Sequence, residues 1–239
     1  PYQSYSDVNY GVMRGLVALG LFQSQDEINR SPKQTYGEVR PGDIRYKDVN
    51  ADGKIDDDDV VPIAHSNVPQ IQYGFALEYR YKRWTISALF TGAAKVNFLY
   101  GGSGFYPFSG GEVGNILSIV NDPKNRWTPA WYSGDPSTEN PNARFPRLTY
   151  GENKNNNRAS TFWLADGSYL RWKSLDISYR IGTNKALRTV GISDMNLQFV
   201  GQNLAVWDSV KLWDPGQASK NGAVYPLQRT FSLQLTATF

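Results

Sequence analysis

The chain of 239 residues contains no cysteine and a single histidine, His65. The lack of cysteine excludes disulfides, thiolate nucleophiles and iron–sulfur or zinc–cysteine sites, and a single histidine excludes any site that needs two imidazoles. No apolar run approaches the length of about 18 residues that indicates a transmembrane helix. The 25 Lys and Arg residues against 22 Asp and Glu give a net charge of only +3, without a basic block. We therefore expect no nucleic-acid partner.

What the chain does contain is typical of a β protein. Aromatic residues make up 14% of the sequence, and 22 Gly and 13 Pro residues supply many turns. The mean hydropathy of −0.49 does not argue against membrane strands, because alternation of apolar and polar residues keeps that average low. The chain begins at Pro1 and shows no signal peptide, so we expect it to be part of a longer protein.

Period-two alternation is the dominant pattern. From Gln70 to Tyr81 every odd position is apolar or aromatic, and after a gap at Lys82-Arg83 the alternation continues to Phe98. Because successive side chains of a strand point to opposite faces, each such segment has one apolar and one polar face. The pattern predicts strands, the first of them weakly patterned, at 9–21, 70–81, 84–98, 168–182, 193–207 and 226–239. Leu170 and Trp172 are out of phase with Leu175 and Ile177, which predicts either a bulge near Lys173 or emergence of the strand from a bilayer there.

The predicted strands and their connections indicate an outer-membrane barrel. The strands are about 12–15 residues long, against a mode of about 5–6 in globular proteins. If neighbouring strands are antiparallel, the loops 22–69, 99–167 and 208–225 fall on one side and the short links on the other, as in outer-membrane barrels. Six strands are too few to enclose a useful lumen, so we expect further strands outside this chain. A soluble β-sandwich remains the alternative.

An acidic segment at 48–59 matches the twelve-residue calcium loop. Oxygen ligands occupy positions 1, 3, 5, 9 and 12, a glycine occupies position 6, and position 7 would contribute a backbone carbonyl. Position 12 is an aspartate, which reaches less well than glutamate, and no helix is evident on either side. The alternative is a solvated loop of Asx turns. The predicted metal ligands are Asp48, Asn50, Asp52, Lys54, Asp56 and Asp59.

The long predicted loop 99–167 contains Trp127, Trp131 and Tyr132. Such aromatic side chains either pack a small core within the loop or offer flat surfaces on which sugar rings stack. Together with Trp213 they are the candidate substrate-binding residues. The triplet Asn155-Asn156-Asn157 is predicted to be a solvated loop tip. The sequence has no nucleophile, Walker or dinucleotide motif and no carboxylate pair that specifies glycoside hydrolysis, so we expect no enzyme activity.

Several stretches taken together resemble the SusC/RagA family of TonB-dependent outer-membrane transporters. The resemblance extends over nearly the whole chain in family order, with Ala51 standing where the family usually has Gly. The stretches are Arg40–Asn50, Asn125–Pro129, Asn140–Ala143 before Pro146-Arg147, Asp166–Asp176, Gly201–Leu204, Trp213–Pro215, and Tyr225-Pro226 with Arg229–Phe231.

This resemblance implies that 1–239 is the C-terminal segment of a barrel of 22 strands with long extracellular loops, in the outer membrane of a Gram-negative, Bacteroidetes-like bacterium. It implies import of oligosaccharides, or of peptides, with a SusD-like surface lipoprotein and with energy from TonB, which contacts a part outside this chain. The terminal strand 226–239 resembles the signal that directs barrel assembly, carried by Phe231, Leu233, Leu235 and Phe239.

The leading hypothesis is therefore transport without covalent chemistry. Its polar lumen-facing residues are expected to include Glu78, Arg80, Asp176 and Gln198. The main alternative is a secreted, calcium-dependent carbohydrate-binding β-sandwich, and a glycosidase domain is a weaker one. The apolar faces distinguish these hypotheses, because in a sandwich Phe75, Ile86 and Leu233 would meet inside a two-layer core.

Overall fold

The structure is a computed structural model that describes residues 11–109 and 116–239. The strands are β1 (Met13–Gly15), β2 (Ala18–Leu21), β3 (Lys33–Gln34), β4 (Ile44–Tyr46), β5 (Lys54–Ile55), β6 (Val61–Ala64), β7 (Ile71–Tyr81), β8 (Trp84–Ala94), β9 (Asn97–Leu99), β10 (Leu164–Asp166), β11 (Tyr169–Arg180), β12 (Asp194–Asp208) and β13 (Thr230–Thr238). The helices are all short: α1 (Gln25–Arg30), α2 (Ser118–Asn121), α3 (Ala130–Ser133) and α4 (Lys185–Thr189). In the part of the chain that the structure describes, no helix is long and apolar enough to cross a membrane.

The chain divides into two compact units. The first, the loop unit, comprises the described residues of Pro1–Val68, Asn97–Ala165 and Ser219–Ala223. The second, the sheet unit, comprises Pro69–Val96, Asp166–Ala218 and Val224–Phe239.

The sheet unit is built on five long antiparallel strands in the order β13-β12-β11-β8-β7. These are five of the six strands that the alternation predicts. The β7–β8 hairpin turns at Lys82-Arg83, where Lys82 has a φ of 53°. The β8 strand ends at Ala94 and β13 begins at Thr230, so both are shorter than the sequence predicts.

The strand register gathers the apolar residues into rows on one face of the sheet. One row contains Leu77, Ala88, Leu175, Gly201 and Phe231, and the next contains Tyr79, Ile86, Ile177, Phe199 and Leu233. Aromatic rings meet across the strands on this face: the ring centroids of Phe75 and Phe90 are 5.0 Å apart, and those of Trp84 and Tyr179 are 4.6 Å apart. Cross-strand pairs of this kind stabilise a sheet.

The predicted bulge at Lys173 is confirmed. The register of β11 shifts between Trp172 and Ser174 in its pairing with both neighbours. Against β8, Lys173 is one extra residue, so Trp172 lies opposite Phe90 while Leu175 lies opposite Ala88. The bulge therefore brings both phases of the apolar pattern onto the same face, since an extra residue reverses the alternation.

The apolar face is exposed rather than buried in a core. Phe75 is 47% exposed, Ile86 37% and Leu233 72%. These three residues lie on one face of a single sheet, and they do not meet inside a second layer. The sandwich alternative fails on this observation, because a sandwich buries its inner faces.

The loop unit contains short strand pairs instead of the predicted sixth long strand. The described residues of 9–21 form β1, which pairs with β6, and β2, which pairs with β4, both antiparallel. Further along the chain, β3 and β5 form a two-residue parallel pair. The prediction of a strand at 9–21 beside the long strands was therefore wrong, and its residues 9 and 10 lie outside the described residues. The weak alternation there reflects two short strands that change partners at Leu16-Val17.

The predicted loop 99–167 contributes an aromatic core to the loop unit. Phe105 packs at its centre, with ring centroids 5.0 Å from Tyr100, 5.8 Å from Phe145 and 5.6 Å from Trp163. Phe105, Phe145 and Trp163 are all buried. Their packing explains how a segment with little regular structure keeps a defined shape. Of the three aromatic residues that the small-core alternative concerned, Trp127 is buried, whereas Trp131 and Tyr132 are exposed.

Candidate functional site

A cleft of about 440 Å³ opens in the loop unit around the stretch Arg126–Tyr132. That volume is within the usual range of ligand pockets, about 300–1,000 Å³. Three aromatic residues and three arginines are among the lining residues, and none of the described residues that line it is acidic. The lining residues are Arg40, Pro41, Arg126, Trp127, Thr128, Pro129, Trp131, Tyr132, Arg147 and Leu148.

Trp127 is fixed in the wall of this cleft. It is 5% exposed, and its indole N–H donates to Oε1 of Gln23 at 3.3 Å. The ring packs on Gly42, where an added Cβ would come within 2.3 Å of the indole. Gly42 also has a φ of 88°, so both the space and the backbone require glycine there. Trp127 therefore acts as a rigid surface, and most of its ring is used in packing.

Trp131 and Tyr132 extend from the one-turn helix α3 at the cleft and are 84% and 67% exposed. Their ring centroids are 6.0 Å apart with nearly perpendicular planes. The carboxylate of Glu139 accepts from the backbone N–H of Ala130 at 2.7 Å, and Gly134 ends the helix with a φ of 73°. Three of the four predicted substrate-binding aromatics thus line one cleft, and two of them are free of packing over most of their surface.

The three arginines are held in different ways. Arg40 is exposed, and its Nε lies 2.9 Å from Oε1 of Glu38. This hydrogen bond lowers the pKa of Glu38 and raises the pKa of Arg40.

Arg147 lies against the fully buried carboxylate of Asp43, with Nε 2.9 Å from Oδ1 and Nη2 3.0 Å from Oδ2. The buried guanidinium of Arg126 donates from Nη1 to the carbonyls of Val120 and Asn121, at 2.5 and 2.8 Å.

A second cavity of about 340 Å³ shares Arg40 and Arg147 with the cleft. Its lining is polar and includes Tyr36, Glu38 and Glu152. Burial raises the pKa of Tyr36 to about 12, with the nearby guanidinium of Arg158 opposing the shift. Two cavities of contrasting polarity therefore adjoin the same pair of arginines.

Asn155 and Asn156 are buried, so the prediction of a solvated tip was wrong. The side chain of Asn155 accepts from Nε2 of Gln34 at 2.6 Å and donates to the carbonyl of Ile44 at 3.1 Å. Asn156 donates to Oδ1 of Asp43 at 2.8 Å and accepts from the backbone N–H of Ile44 at 2.9 Å. These bonds fix the Arg40–Asn50 stretch, and with it Arg40 and Arg147 at the cleft, because buried polar groups are placed by their partners.

The acidic loop 48–59 folds as a series of Asx turns. Asp48 accepts from the backbone N–H of Gly53 at 2.8 Å, and Asn50 accepts from that of Asp52 at 3.0 Å. Ala51 has a φ of 60° and Gly53 a φ of 85°, which give the loop its sharp turns. The fully buried Asp59 accepts from the backbone N–H groups of Val49 at 2.7 Å and Asp56 at 3.0 Å. The loop is thus closed by its own backbone donors.

The charges of this loop are partly paired. Nζ of Lys54 lies 2.5 Å from Oδ2 of Asp56 and 3.5 Å from Oδ2 of Asp52. The hydrogen bond between Lys54 and Asp56 lowers the pKa of that carboxyl. Across residues 11–109 and 116–239, no group of three or more Asp, Glu or His side chains is arranged to hold a metal ion. Calcium at the six predicted ligands stays a prediction.

The remaining predicted residues lie in the sheet unit. Trp213 is half-buried and precedes Asp214, which is paired with Arg171. The residues of the predicted assembly signal are all exposed: Phe231 61%, Leu233 72%, Leu235 60% and Phe239 83%. Their role in assembly stays a prediction.

Sequence reasoning did not select Arg40, Arg126 or Arg147 as site residues. Each lies within or beside a stretch that carries the family resemblance, which was the available signal. Nothing local distinguishes them from surface arginines, because distant segments bring them to one cleft.

Comparisons with known proteins agree with the resemblance. No family model matches the chain. Among curated proteins it is 28% identical over 240 residues to TonB-dependent receptor P26 of Formosa agariphila, a match covering 95% of this chain and 22% of the receptor. It is 24% identical over 217 residues to TonB-dependent receptor P3 of the same organism, covering 85% of this chain and 20% of the receptor. The chain thus spans about a fifth of the length of these relatives.

Solved structures of the RagAB peptide importer have the same fold as this chain. Its open-open and closed-closed states align with TM-scores of 0.63 and 0.64 at 18% and 19% identity. Each match covers 95% of this chain, and the matched chains are covered to 22% and 23%. The resemblance to SusC/RagA-type TonB-dependent receptors and the all-β fold class with barrel strands are confirmed. The relatives carry the names of receptors and importers, which agrees with a role that is not enzymatic.

Proposed function

We propose that the protein carrying this chain, which resembles a segment of a SusC/RagA-like TonB-dependent receptor, is an active importer of the outer membrane. Its cargo is an oligosaccharide or a peptide. The bacterium is Gram-negative and Bacteroidetes-like, as the family resemblance implies. The observation that carries this proposal is the exposed apolar face of the sheet unit.

The dimensions of the long strands suit a bilayer. Strands β7 and β8 each have 11 residues. At about 3.3 Å per residue this is roughly 36 Å, and at a tilt of about 40° the strands cross an apolar band about 25 Å tall. Leu77 and Tyr79 on β7 are 62% and 63% exposed, on the face that would contact acyl chains. A water-soluble protein rarely leaves such an extended apolar patch uncovered.

The opposite face supports a hydrated interior. Its rows include Glu78, Ser87 and Asp176, followed by Arg80, Thr85, Ser178, Gln198 and Gln234. Asp176 accepts hydrogen bonds from Gln198 and Ser178 on this face. Polar side chains bonded to one another in this way are typical of the lumen side of a membrane barrel.

The partners follow from the family. A SusD-like surface lipoprotein would cover the extracellular loops, as the family resemblance implies. TonB would supply the energy through a part of the receptor outside this chain. Trp131 and Tyr132 would contact the cargo on the extracellular side, and calcium would bind the loop 48–59 and hold it rigid.

Import is tested with the full-length receptor and its lipoprotein in the native bacterium. Uptake of fluorescent oligosaccharides and peptides is measured with the receptor gene intact, deleted and restored, and in a strain without TonB. We expect uptake of one cargo class to be lost on either deletion and to return on complementation. Unchanged uptake of every cargo in both deletion strains, or recovery of the receptor of the intact strain in the soluble fraction, would refute the proposal.

A further inference from the structure

We infer that the cleft around Trp131 selects an anionic oligosaccharide, one that carries carboxylate or sulfate groups on its sugar rings. The inference rests on the proposed import function and specifies the cargo class. It starts from the lining: three of its residues are arginines, and none of the described lining residues is acidic. Guanidinium groups match the geometry of carboxylate and sulfate oxygens.

Arg40 is the guanidinium best placed to meet such a ligand. Its side chain is 60% exposed, and its partner Glu38 is 73% exposed. An exposed pair of this kind contributes little to stability, so a ligand anion can replace Glu38 at low cost. Arg147 and Arg126 are held in place by Asp43 and by backbone carbonyls, and because Asp43 compensates the charge of Arg147, the exposed Arg40 is the guanidinium on which the inference rests.

The aromatic side chains supply the complementary surface. Trp131 and Tyr132 are largely exposed next to the arginines. The C–H faces of a sugar ring are apolar and stack on such rings, while acidic substituents at the ring edge reach the guanidiniums. A charged cleft with exposed aromatic faces thus fits both parts of an acidic sugar.

The backbone of the cleft argues against an extended peptide as its ligand. Peptides that bind as added strands require free main-chain donors. The lining residues with occupied backbone N–H groups are Arg40 (to Asp43), Trp127 (to Phe145), Thr128 (to Thr138), Tyr132 (to Pro129) and Arg147 (to Gly42). Pro41 and Pro129 have no N–H group. Seven of the ten lining residues therefore offer no main-chain donor, and recognition falls to side chains.

The test measures binding to the purified full-length receptor–lipoprotein complex in detergent. The probes are a panel of uronate-containing and sulfated oligosaccharides, each with its carboxyl-esterified or desulfated counterpart, and acidic peptides of similar length. The variants are Arg40→Gln, Trp131→Ala and, as the matched control, Arg144→Gln, an exposed arginine that does not line the cleft.

We expect at least one acidic glycan to bind ten-fold or more tightly than its neutralised counterpart. Arg40→Gln and Trp131→Ala should each weaken that binding at least ten-fold, and Arg144→Gln should leave it unchanged. The inference is overturned if no acidic glycan exceeds its counterpart, if Arg40→Gln behaves like Arg144→Gln, or if acidic peptides bind best. These outcomes would leave import itself intact, because uptake in the deletion strains is measured independently of the cargo's charge.

Discussion

The guanidinium of Arg171 meets both carboxylate oxygens of Asp214, with Nη2 at 2.5 and 2.7 Å, across a sequence separation of 43 residues. The two side chains are only 7% and 15% exposed. Arg171 belongs to the Asp166–Asp176 stretch and Asp214 to the Trp213–Pro215 stretch, both of which carry the family resemblance. A single buried ion pair within the sheet unit thus joins two motifs that look unrelated in the sequence.

Breaking this pair should release the segment between β12 and β13. We expect Asp214→Ala to cost about 3–5 kcal/mol locally, because it leaves a buried guanidinium without its counter-charge. In the full-length receptor in detergent, limited proteolysis should then cleave within 209–229 at least ten-fold faster.

The matched control for this experiment is Asp194→Ala. Asp194 pairs with Arg180 at 3.2 Å, but those side chains are 36% and 70% exposed, so the loss should be small. Equal protease sensitivity of the two variants would mean that burial of the Arg171–Asp214 pair has no energetic consequence.

The buried asparagines give a second prediction. Asn156→Ala removes one of the partners of Asp43, which keeps Arg147, and it removes the acceptor of the Ile44 amide; a buried group left without a partner costs about 1–3 kcal/mol. We expect faster hydrogen exchange in β4, measured by mass spectrometry. Asn157→Ala, at a half-buried neighbour, is the control, and identical exchange in both variants would contradict the network.

Calcium binding at the acidic loop is tested by metal titration of the full-length receptor. We expect millimolar calcium to protect 48–59 from hydrogen exchange and magnesium to protect it less, because the loop offers the flexible oxygen spacing that calcium prefers. The double variant Asp48→Asn, Asp52→Asn should lose this protection, whereas Asp26→Asn in α1 should keep it. If calcium does not change the hydrogen exchange of 48–59 in the unmodified receptor, the alternative holds, a metal-free loop of Asx turns.

Phe239 is expected to contribute to barrel assembly. It is 83% exposed beyond the end of β13, in line with the apolar row of that strand. Phe239→Ser should lower the amount of heat-modifiable receptor in the outer-membrane fraction several-fold, while Thr238→Ser should not. Wild-type levels of assembled Phe239→Ser would show that the assembly machinery does not depend on this residue.

The long strands and the bulge could be predicted from the sequence because alternation is a local signal. The alternation in β7 and β13 shows which residues share the apolar face, whichever strands they pair with. The reversal of phase between Trp172 and Leu175 likewise required a bulge at Lys173. The weak alternation at 9–21 carried no such information, since two short strands there pair with β6 and β4.

The site was predictable only in part. Trp127, Trp131 and Tyr132 are close in sequence and do share a cleft, whereas Trp213 belongs to the sheet unit. The position of Arg147 against Asp43 and the burial of Asn155 and Asn156 depend on contacts between segments about 100 residues apart. Composition and spacing cannot reveal such contacts, because the partner of a polar side chain is set by the tertiary fold.

The measurement that most directly tests the central claim is the accessibility of spin labels on the two faces of the sheet unit. Because this chain has no cysteine, single labelling cysteines can be introduced at Leu77 and Leu233 on the apolar face and at Glu78 and Gln234 on the polar face, in a full-length receptor whose cysteines outside this chain have been replaced and which is held in bilayers. We predict that labels at Leu77 and Leu233 collide with dissolved oxygen and are shielded from a water-soluble nickel complex, and that the other two labels show the reverse. Equal collision with the nickel complex on both faces would contradict a lipid-covered sheet and, with it, the assignment as an importer.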